Sequence, residues 1–320
     1  MLSINGIKCR LFVGMLLTIL ASSSVFAEES AWYPSKYGAA DTIGALNNLS
    51  AEGVLNAAKL VTQGKIYELG GVTGGDTPAY GHRNFNLIMY PHGDEVSPPL
   101  GKSQGTSHDD YLATWLGIGT QIDGFAHFGI GHRYYNGATA ADVFAPSGAK
   151  KYGTHEIPAI VTRGVLLDML TFLGGTEMLP AGTAFDEAQI RGAAKAQGVS
   201  IGSGDVVILH TGWQAMATKD PAAFLAGEPG LDIGGAEYLA SLGVVAVGAD
   251  TWALDAIPNP DPEQMFPSHG ILLAKHGVHI LENIQTNELI ADGVSEFLFV
   301  LGIPKFEGAV QMVINPIAIR

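Results

Sequence analysis

The sequence predicts an α/β fold, because short apolar runs alternate along the chain with segments of helical periodicity. Residues 206–209 (Val-Val-Ile-Leu) and 244–247 (Val-Val-Ala-Val) are typical of short buried strands. Residues 51–64 place their apolar side chains at helical spacing, and residues 187–197 predict a helix between strands. Alternation of this kind favours an α/β protein over an all-β protein.

The N-terminus predicts export of the protein. Lys8 and Arg10 precede an apolar run over residues 11–21, and small residues lead up to Ala27. This pattern is typical of a secretory signal peptide, and the run is shorter than the roughly 20 residues that span a bilayer. We therefore expect residues 1–27 to be removed and residues 28–320 to form a single periplasmic or secreted domain. Cys9, the only cysteine, lies in the leader, which excludes cysteine ligands and nucleophiles from the mature chain.

The charge of the chain excludes some classes of partner. Without the two basic residues of the leader, 15 basic residues remain against 31 acidic ones. Such an acidic protein is not suited to nucleic acid or to anionic membrane surfaces. A small-molecule substrate is the partner that we expect.

One glycine-rich segment, residues 119–127 (Gly-Thr-Gln-Ile-Asp-Gly-Phe-Ala-His), carries the main candidate chemistry. In an extended segment, Gln121 and Asp123 point to the same side, and a bend permitted by glycine would bring His127 toward them. An amide, a carboxylate and an imidazole could thus converge on one cation, although such residues also serve as turn and capping residues. The sequence contains no phosphate-loop or His-Glu-x-x-His motif. Its two Gly-x-Ser-x-Gly matches, residues 101–105 and 198–202, do not follow a predicted strand as a nucleophile elbow requires, which argues against serine hydrolase chemistry.

This segment resembles the signature of the Putative cyclase family, which includes kynurenine formamidases and isatin hydrolases. The usual form is His-x-Gly-Thr-His-x-Asp-x-Pro-x-His, and here Gly117, Gln121 and Phe125 replace the two early histidines and the proline. The chain is most similar to a branch with Gly-Thr-Gln-x-Asp followed by Tyr-Asn-Gly, which here is Tyr135-Asn136-Gly137. The resemblance spans nearly the whole mature chain.

The resemblance implies a central β-sheet or barrel-like layer flanked by helices, commonly assembled as a homodimer. It also implies a second pair of metal ligands, His269 and Glu282, far along the chain from the first motif. We therefore predict that Gln121, Asp123, His269 and Glu282 hold Mn²⁺ or Zn²⁺, since ligand hardness favours Mn²⁺ and the affinity order favours Zn²⁺. Imidazole can change its protonation near neutral pH, so His127 is the predicted catalytic acid and base.

The substrate pocket is predicted from aromatic side chains and from polar residues near the motif or past the ends of buried strands. These are Trp115, Phe125, Phe128, His132, His210 and Trp252. The predicted function is metal-dependent hydrolysis of an amide, lactam or ester bond in a small cyclic or aromatic substrate, as in arylformamidases and isatin hydrolases. Two alternatives remain open: a metal-dependent cyclase or dehydratase, and a noncatalytic periplasmic ligand-binding protein.

Overall fold

The computed structural model describes residues 32–92 and 98–320, so the predicted leader lies outside the described residues. Its helices are α1 Ala51–Ala58, α2 Ala140–Val143, α3 Met169–Phe172, α4 Glu187–Gln197, α5 Met216–Lys219, α6 Pro221–Ala226, α7 Ile233–Ser241, α8 Pro267–His269 and α9 Asn287–Ala291; a π-helix covers Gly270–His276. Its strands are β1 Ile66–Glu68, β2 Phe85–His92, β3 Ser107–Thr114, β4 Gln121–Asp123, β5 Phe144–Ala145, β6 Gly148–Ala149, β7 Ile160–Asp168, β8 Ala184–Phe185, β9 Val206–His210, β10 Gly230–Leu231, β11 Ala246–Ala249, β12 His279–Glu282, β13 Glu296–Leu301, β14 Gln311–Val313 and β15 Ile317–Ile319.

Nine of the strands form one curled sheet, in the order β1-β15-β13-β7-β9-β11-β12-β4-β14. Strands β7, β9, β11 and β12 run parallel to their neighbours in the centre, and the strands on either side of them pair antiparallel. Helices flank this half-barrel, which confirms the predicted α/β fold with a central, barrel-like sheet. Among the described residues, no helix combines the length and apolarity that a membrane span needs.

The central strands are buried on both faces, which explains why they appear in the sequence as continuous apolar runs. On β9, Val207 and Leu209 belong to one core cluster, whereas Val206 and Ile208 belong to the cluster on the opposite face of the sheet. The predicted strand at 244–247 is displaced by two residues, to Ala246–Ala249. Val244 and Val245 are still buried and lead into the strand after a turn at Gly243, whose φ is 79°.

The helix signals differ in how sharply they define helix ends. Helix α4 has the predicted bounds because Asp186 and Gln189 form a capping box at its start and Gly198 ends it with a φ of 70°. Helix α1 begins after the cap residue Ser50 but ends at Ala58, short of the predicted residue 64. Apolar spacing continues past Ala58, where the backbone forms a turn instead.

Strands β2 and β3 form a two-stranded antiparallel hairpin that is separate from the main sheet, and we call it the hairpin arm. Leu87 pairs with Leu112 on one face and Ile88 pairs with Tyr111 on the other. These four apolar side chains are each between 47% and 54% exposed. The hairpin arm therefore presents apolar surface on both of its faces.

Candidate active site

The register of three neighbouring strands brings four polar side chains together. Strand β4 lies between β12 and β14, with Gln121 opposite Glu282 and Asp123 opposite Gln311. Residues that are directly opposite, or two apart on a strand, share one face of a sheet. All four side chains are buried, and their exposed fractions do not exceed 8%. A buried polar face of this kind is typical of a functional site rather than of a core.

Two histidines complete the arrangement from outside the sheet. His127 follows a turn in which its backbone N–H donates to the carbonyl of Gly124, and His269 ends the short helix α8. The Oδ2 atom of Asp123 lies 3.8 Å from Nε2 of His127 and 3.6 Å from Nε2 of His269. The three ligand atoms lie within 4.8 Å of one another, so they form a group able to hold a metal ion.

The hydrogen bonds of Asp123 support this assignment. Its Oδ1 atom accepts a hydrogen bond of 2.8 Å from Nε2 of Gln311, whereas its buried Oδ2 atom has no hydrogen-bond partner among the described residues. A buried carboxylate oxygen without a partner is costly, and two imidazole nitrogens face it. Ligands at about 2.1 Å from a tetrahedral ion lie roughly 3.4 Å apart, close to the two observed separations. Asp123, His127 and His269 therefore fit a small divalent cation.

Asp255 fixes the orientation of His269. Its Oδ2 atom lies 2.7 Å from Nδ1 of His269, and its Oδ1 atom accepts a hydrogen bond of 2.7 Å from the backbone of Ser268. Such a carboxylate holds the imidazole with Nε2 directed at a metal. Burial lowers the pKa of His269, but the nearby carboxylates of Asp123, Asp255 and Glu282 outweigh it and raise the pKa well above its usual value. A cation at this position would replace the proton that these carboxylates stabilise.

Glu282 is a buried carboxyl group of the site with a strongly raised pKa. Its Oε1 atom lies 3.3 Å from Nε2 of His269, and its Oε2 atom accepts a hydrogen bond of 2.5 Å from Nε2 of Gln121. Burial, reinforced by the negative charge of Asp123, raises the pKa of Glu282 to about 7. A carboxyl group in this state can accept and return a proton under physiological conditions.

The site opens into a cavity of about 170 Å³. Both aromatic side chains and polar side chains line the cavity. Its walls are formed by Tyr80, Arg83, His127, Phe128, Trp252, Ala253, Phe266, His269, Glu282 and Gln311.

The structure brings the predicted metal and catalytic residues close together, but some of them make contacts that differ from their predicted roles. The Nε2 atom of Gln121, a predicted metal ligand, donates to Glu282, so this amide orients a carboxylate. His127, the predicted acid and base, instead belongs to the candidate metal group with Asp123 and His269. Asp123 and Glu282, distant in sequence, both approach Nε2 of His269, but Glu282, a predicted metal ligand, lies outside the candidate metal group.

Of the predicted pocket residues, Phe128 and Trp252 line the cavity. Phe125 does not, because its ring packs in the core and stacks on His279 at 4.3 Å with an interplanar angle of 8°. Trp115 is 45% exposed and contacts His82 edge-on, which places it at the base of the hairpin arm.

The two predicted pocket histidines also lie elsewhere. His132 is an exposed loop residue with a φ of 63°. His210 is buried at the end of β9, where its Nδ1 atom lies 2.7 Å from the hydroxyl of Thr286 and 3.3 Å from Oδ2 of Asp250. A polar residue does follow the buried strand β9, as predicted. His210 and its two partners, Thr286 and Asp250, are not among the residues that line the cavity.

Sequence reasoning missed Gln311, Arg83, Tyr80 and Phe266. The sequence carries one indirect indication that a side chain such as Gln311 enters the site, and this is the glycine at position 117. A Cβ atom on Gly117 would overlap the carboxamide of Gln311, so the absent side chain leaves the space that Gln311 fills. The other three residues occupy loops and the base of the hairpin arm, where periodicity gives no information.

His279 should make the protein less stable in acid. Burial lowers the pKa of His279 to about 4 from a usual 6.5, while its Nδ1 atom bonds the backbone oxygen of Asp123 at 2.9 Å. The folded chain keeps this imidazole neutral where the unfolded chain protonates it, so stability falls as the pH drops from 6.5 toward 4. The loss should reach about 2–3 kcal/mol near pH 4.

The measurement is urea unfolding of the wild type and His279→Asn at pH 7 and pH 4.5. Asparagine still offers an N–H donor to the carbonyl of Asp123 but does not titrate. The variant should be less stable at pH 7, and the difference from the wild type should shrink at pH 4.5. An equal difference at both pH values would contradict the assignment.

Comparison with known proteins places this geometry in context. A crystal structure described as a novel cyclase has a TM-score of 0.81 and 29% identity, covering 89% of this chain and 96% of that one. Isatin hydrolase A from Ralstonia solanacearum has a TM-score of 0.61 and 18% identity, and the match covers 85% of this chain and 98% of that one. A structure described as a potential metal-dependent hydrolase with cyclase activity has a TM-score of 0.50 and 15% identity, and the match covers 79% of this chain and 98% of that one. The two latter likenesses show the fold alone.

None of the curated proteins compared with the chain matches it. The family model described as Putative cyclase matches residues 45–256, which is more than half of the chain. The matched range contains Gln121, Asp123, His127 and Asp255, whereas His269 and Glu282 follow it. The chain therefore belongs to the Putative cyclase family.

Proposed function

We propose that the protein is a metal-dependent hydrolase that cleaves an amide, lactam or ester bond in a small cyclic or aromatic substrate. One observation carries the proposal: the buried, unpaired Oδ2 atom of Asp123 faces Nε2 of two histidines at the edge of a partly aromatic cavity. The names of the structural relatives, isatin hydrolase and potential metal-dependent hydrolase, support this class of chemistry.

In this proposal, Asp123, His127 and His269 hold the ion, and Asp255 orients His269. One carboxylate and two imidazoles suit either Zn²⁺ or Mn²⁺. When bound, the ion would polarise the substrate carbonyl and lower the pKa of a water molecule. Three protein ligands leave positions open for water and substrate, as in catalytic rather than structural sites.

Glu282 is the proposed proton-transfer group, with Gln121 fixing its orientation. Its Oε1 atom lies 3.3 Å from Nε2 of His269 and the residue lines the cavity, so it would exchange a proton with water or substrate bound there. The same carboxyl group would deliver the proton to the leaving nitrogen or oxygen. His127 then serves as a ligand, a role that differs from the one predicted from the sequence.

The test is a mass-resolved screen of formamides, lactams and lactones with the purified protein. A hydrolase gives products whose summed mass exceeds that of the substrate by one water molecule. Chelation should abolish turnover, and Zn²⁺ or Mn²⁺ should restore it. Products whose summed mass equals that of the substrate, or a single product lighter by one water molecule, would identify the cyclase or dehydratase alternative. Ligand retained unchanged with or without metal would identify a binding protein.

Export and a homodimer remain proposals as well. The leader-like sequence of residues 1–27 supports export to the periplasm or medium. The apolar side chains on both faces of the hairpin arm support the homodimer, because an isolated hairpin is only marginally stable in water.

A further inference from the structure

Arg83 is the one lysine or arginine among the described residues that line the cavity. Its Nη1 atom donates a hydrogen bond of 2.7 Å to the backbone carbonyl of Gly117, which fixes one end of the guanidinium. Within the described part of the chain, this is the only hydrogen bond that the guanidinium makes, and no carboxylate pairs with it. Since a guanidinium has five N–H donors, most of its donor capacity is left for a ligand.

The position of Arg83 is unusual for so acidic a protein. The chain carries a formal net charge of −14, and four buried carboxyl groups lie in or behind this site: Asp123, Glu228, Asp255 and Glu282. An anionic ligand would be repelled here without a compensating cation.

The wall of the cavity suits a planar ligand. The rings of Tyr80 and Trp252 stack at 5.2 Å with an interplanar angle of 14°, and Phe266 packs edge-on against both. The indole of Trp252 is held by a hydrogen bond of 2.8 Å to the backbone carbonyl of Phe224. The guanidinium of Arg83 lies 6.0 Å from the centre of the Tyr80 ring. Cation and aromatic wall are therefore parts of one surface.

We propose that Arg83 binds the carboxylate of the ligand, and that the substrate class is planar cyclic or aromatic carboxylates. The free edge of the guanidinium would pair with the carboxylate while the ring lies against the aromatic wall and the scissile carbonyl faces the candidate metal group. Calling the ligand a substrate rests on the proposed hydrolase function. The binding itself does not depend on turnover.

The experiment measures binding of benzoate and its neutral isostere benzamide by titration calorimetry, using the purified full-length protein. Arg83→Gln should weaken benzoate binding by about 10- to 100-fold, the usual effect of losing a charge-assisted hydrogen bond. Benzamide binding should not change. Arg133→Gln is the matched control, because the Nη1 atom of Arg133 also donates to a backbone carbonyl, that of Gly137, at 3.2 Å, but this residue lies outside the cavity.

Arg83→Lys keeps the charge but loses the two parallel N–H donors of the guanidinium, so it should give an intermediate benzoate affinity. This variant replaces Arg83→Gln in the experiment if Arg83→Gln does not fold. Unchanged benzoate binding in the Arg83 variants would overturn the proposal, as would equal weakening of benzoate and benzamide. Selective loss of benzoate binding together with no turnover of any substrate would support this inference and reject the hydrolase function, so the two proposals fail separately.

Discussion

Asp123→Asn should abolish metal binding and lower turnover by about 10³-fold or more. Asparagine can still accept the hydrogen bond from Gln311, but the negative charge at Oδ2, which faces His127 and His269, is lost. Lewis-acid stabilisation is worth several kcal/mol, and each 1.36 kcal/mol corresponds to a factor of ten in rate. Metal analysis and steady-state kinetics of the same preparation measure both effects.

The folding stability of this variant separates a site defect from a structural one. The metal-free variant loses the carboxylate that faces His269, so it should fold but be less stable than the metal-free wild type, as unfolding in urea would show. Asp76→Asn, at an exposed position, is the control and should retain metal and activity. Asp123→Asn protein that still holds one equivalent of metal would show that the ion binds elsewhere.

Asp255→Asn should lower metal affinity by about 10- to 100-fold, the usual cost of removing the carboxylate that orients a ligating histidine. The asparagine oxygen can still accept from the backbone of Ser268, but it no longer holds a charged partner against Nδ1 of His269. Competition with a chromophoric chelator measures the affinity directly.

A second buried carboxylate–histidine pair provides the control for this experiment. Asp250 is 1% exposed, lies 3.3 Å from His210 and accepts hydrogen bonds from the backbone of Thr211 and Gly212. Asp250→Asn should reduce stability without changing metal affinity. If both variants lose metal equally, the loss reflects general destabilisation, and the role of Asp255 as an orienting group is rejected.

The sequence predicted those parts of the site that depend on one short segment or on the family pattern. Gln121 and Asp123 share a face because they are two residues apart on a strand, and Glu282 joins them through strand register. The role of Gln121 could not be predicted, because the partner of a carboxamide depends on which strands lie beside it. Gln311 was missed for the same reason: β14 comes from the far end of the chain and adds to the sheet next to β4.

The aromatic pocket was predicted less well, for a physical reason. Nearness to a motif along the chain does not determine the direction of a side chain after a bend. The turn that follows Asp123 directs Phe125 into the core and His127 toward the site, although only two positions separate them. Tyr80 and Phe266 belong to loops, and loop geometry is set by contacts distant in sequence.

The antiparallel register around β4 has a consequence for how this protein can change through insertions and deletions. A slip of one residue in β4 would turn both Gln121 and Asp123 to the opposite face and separate them from their partners on β12 and β14. The side chains of Tyr80, Trp252 and Phe266, by contrast, come from loops whose length can vary without shifting any strand. Asp123 and Glu282, which lie on strands, are therefore sensitive to insertions and deletions, whereas the aromatic wall, which lies in loops, is freer to diverge.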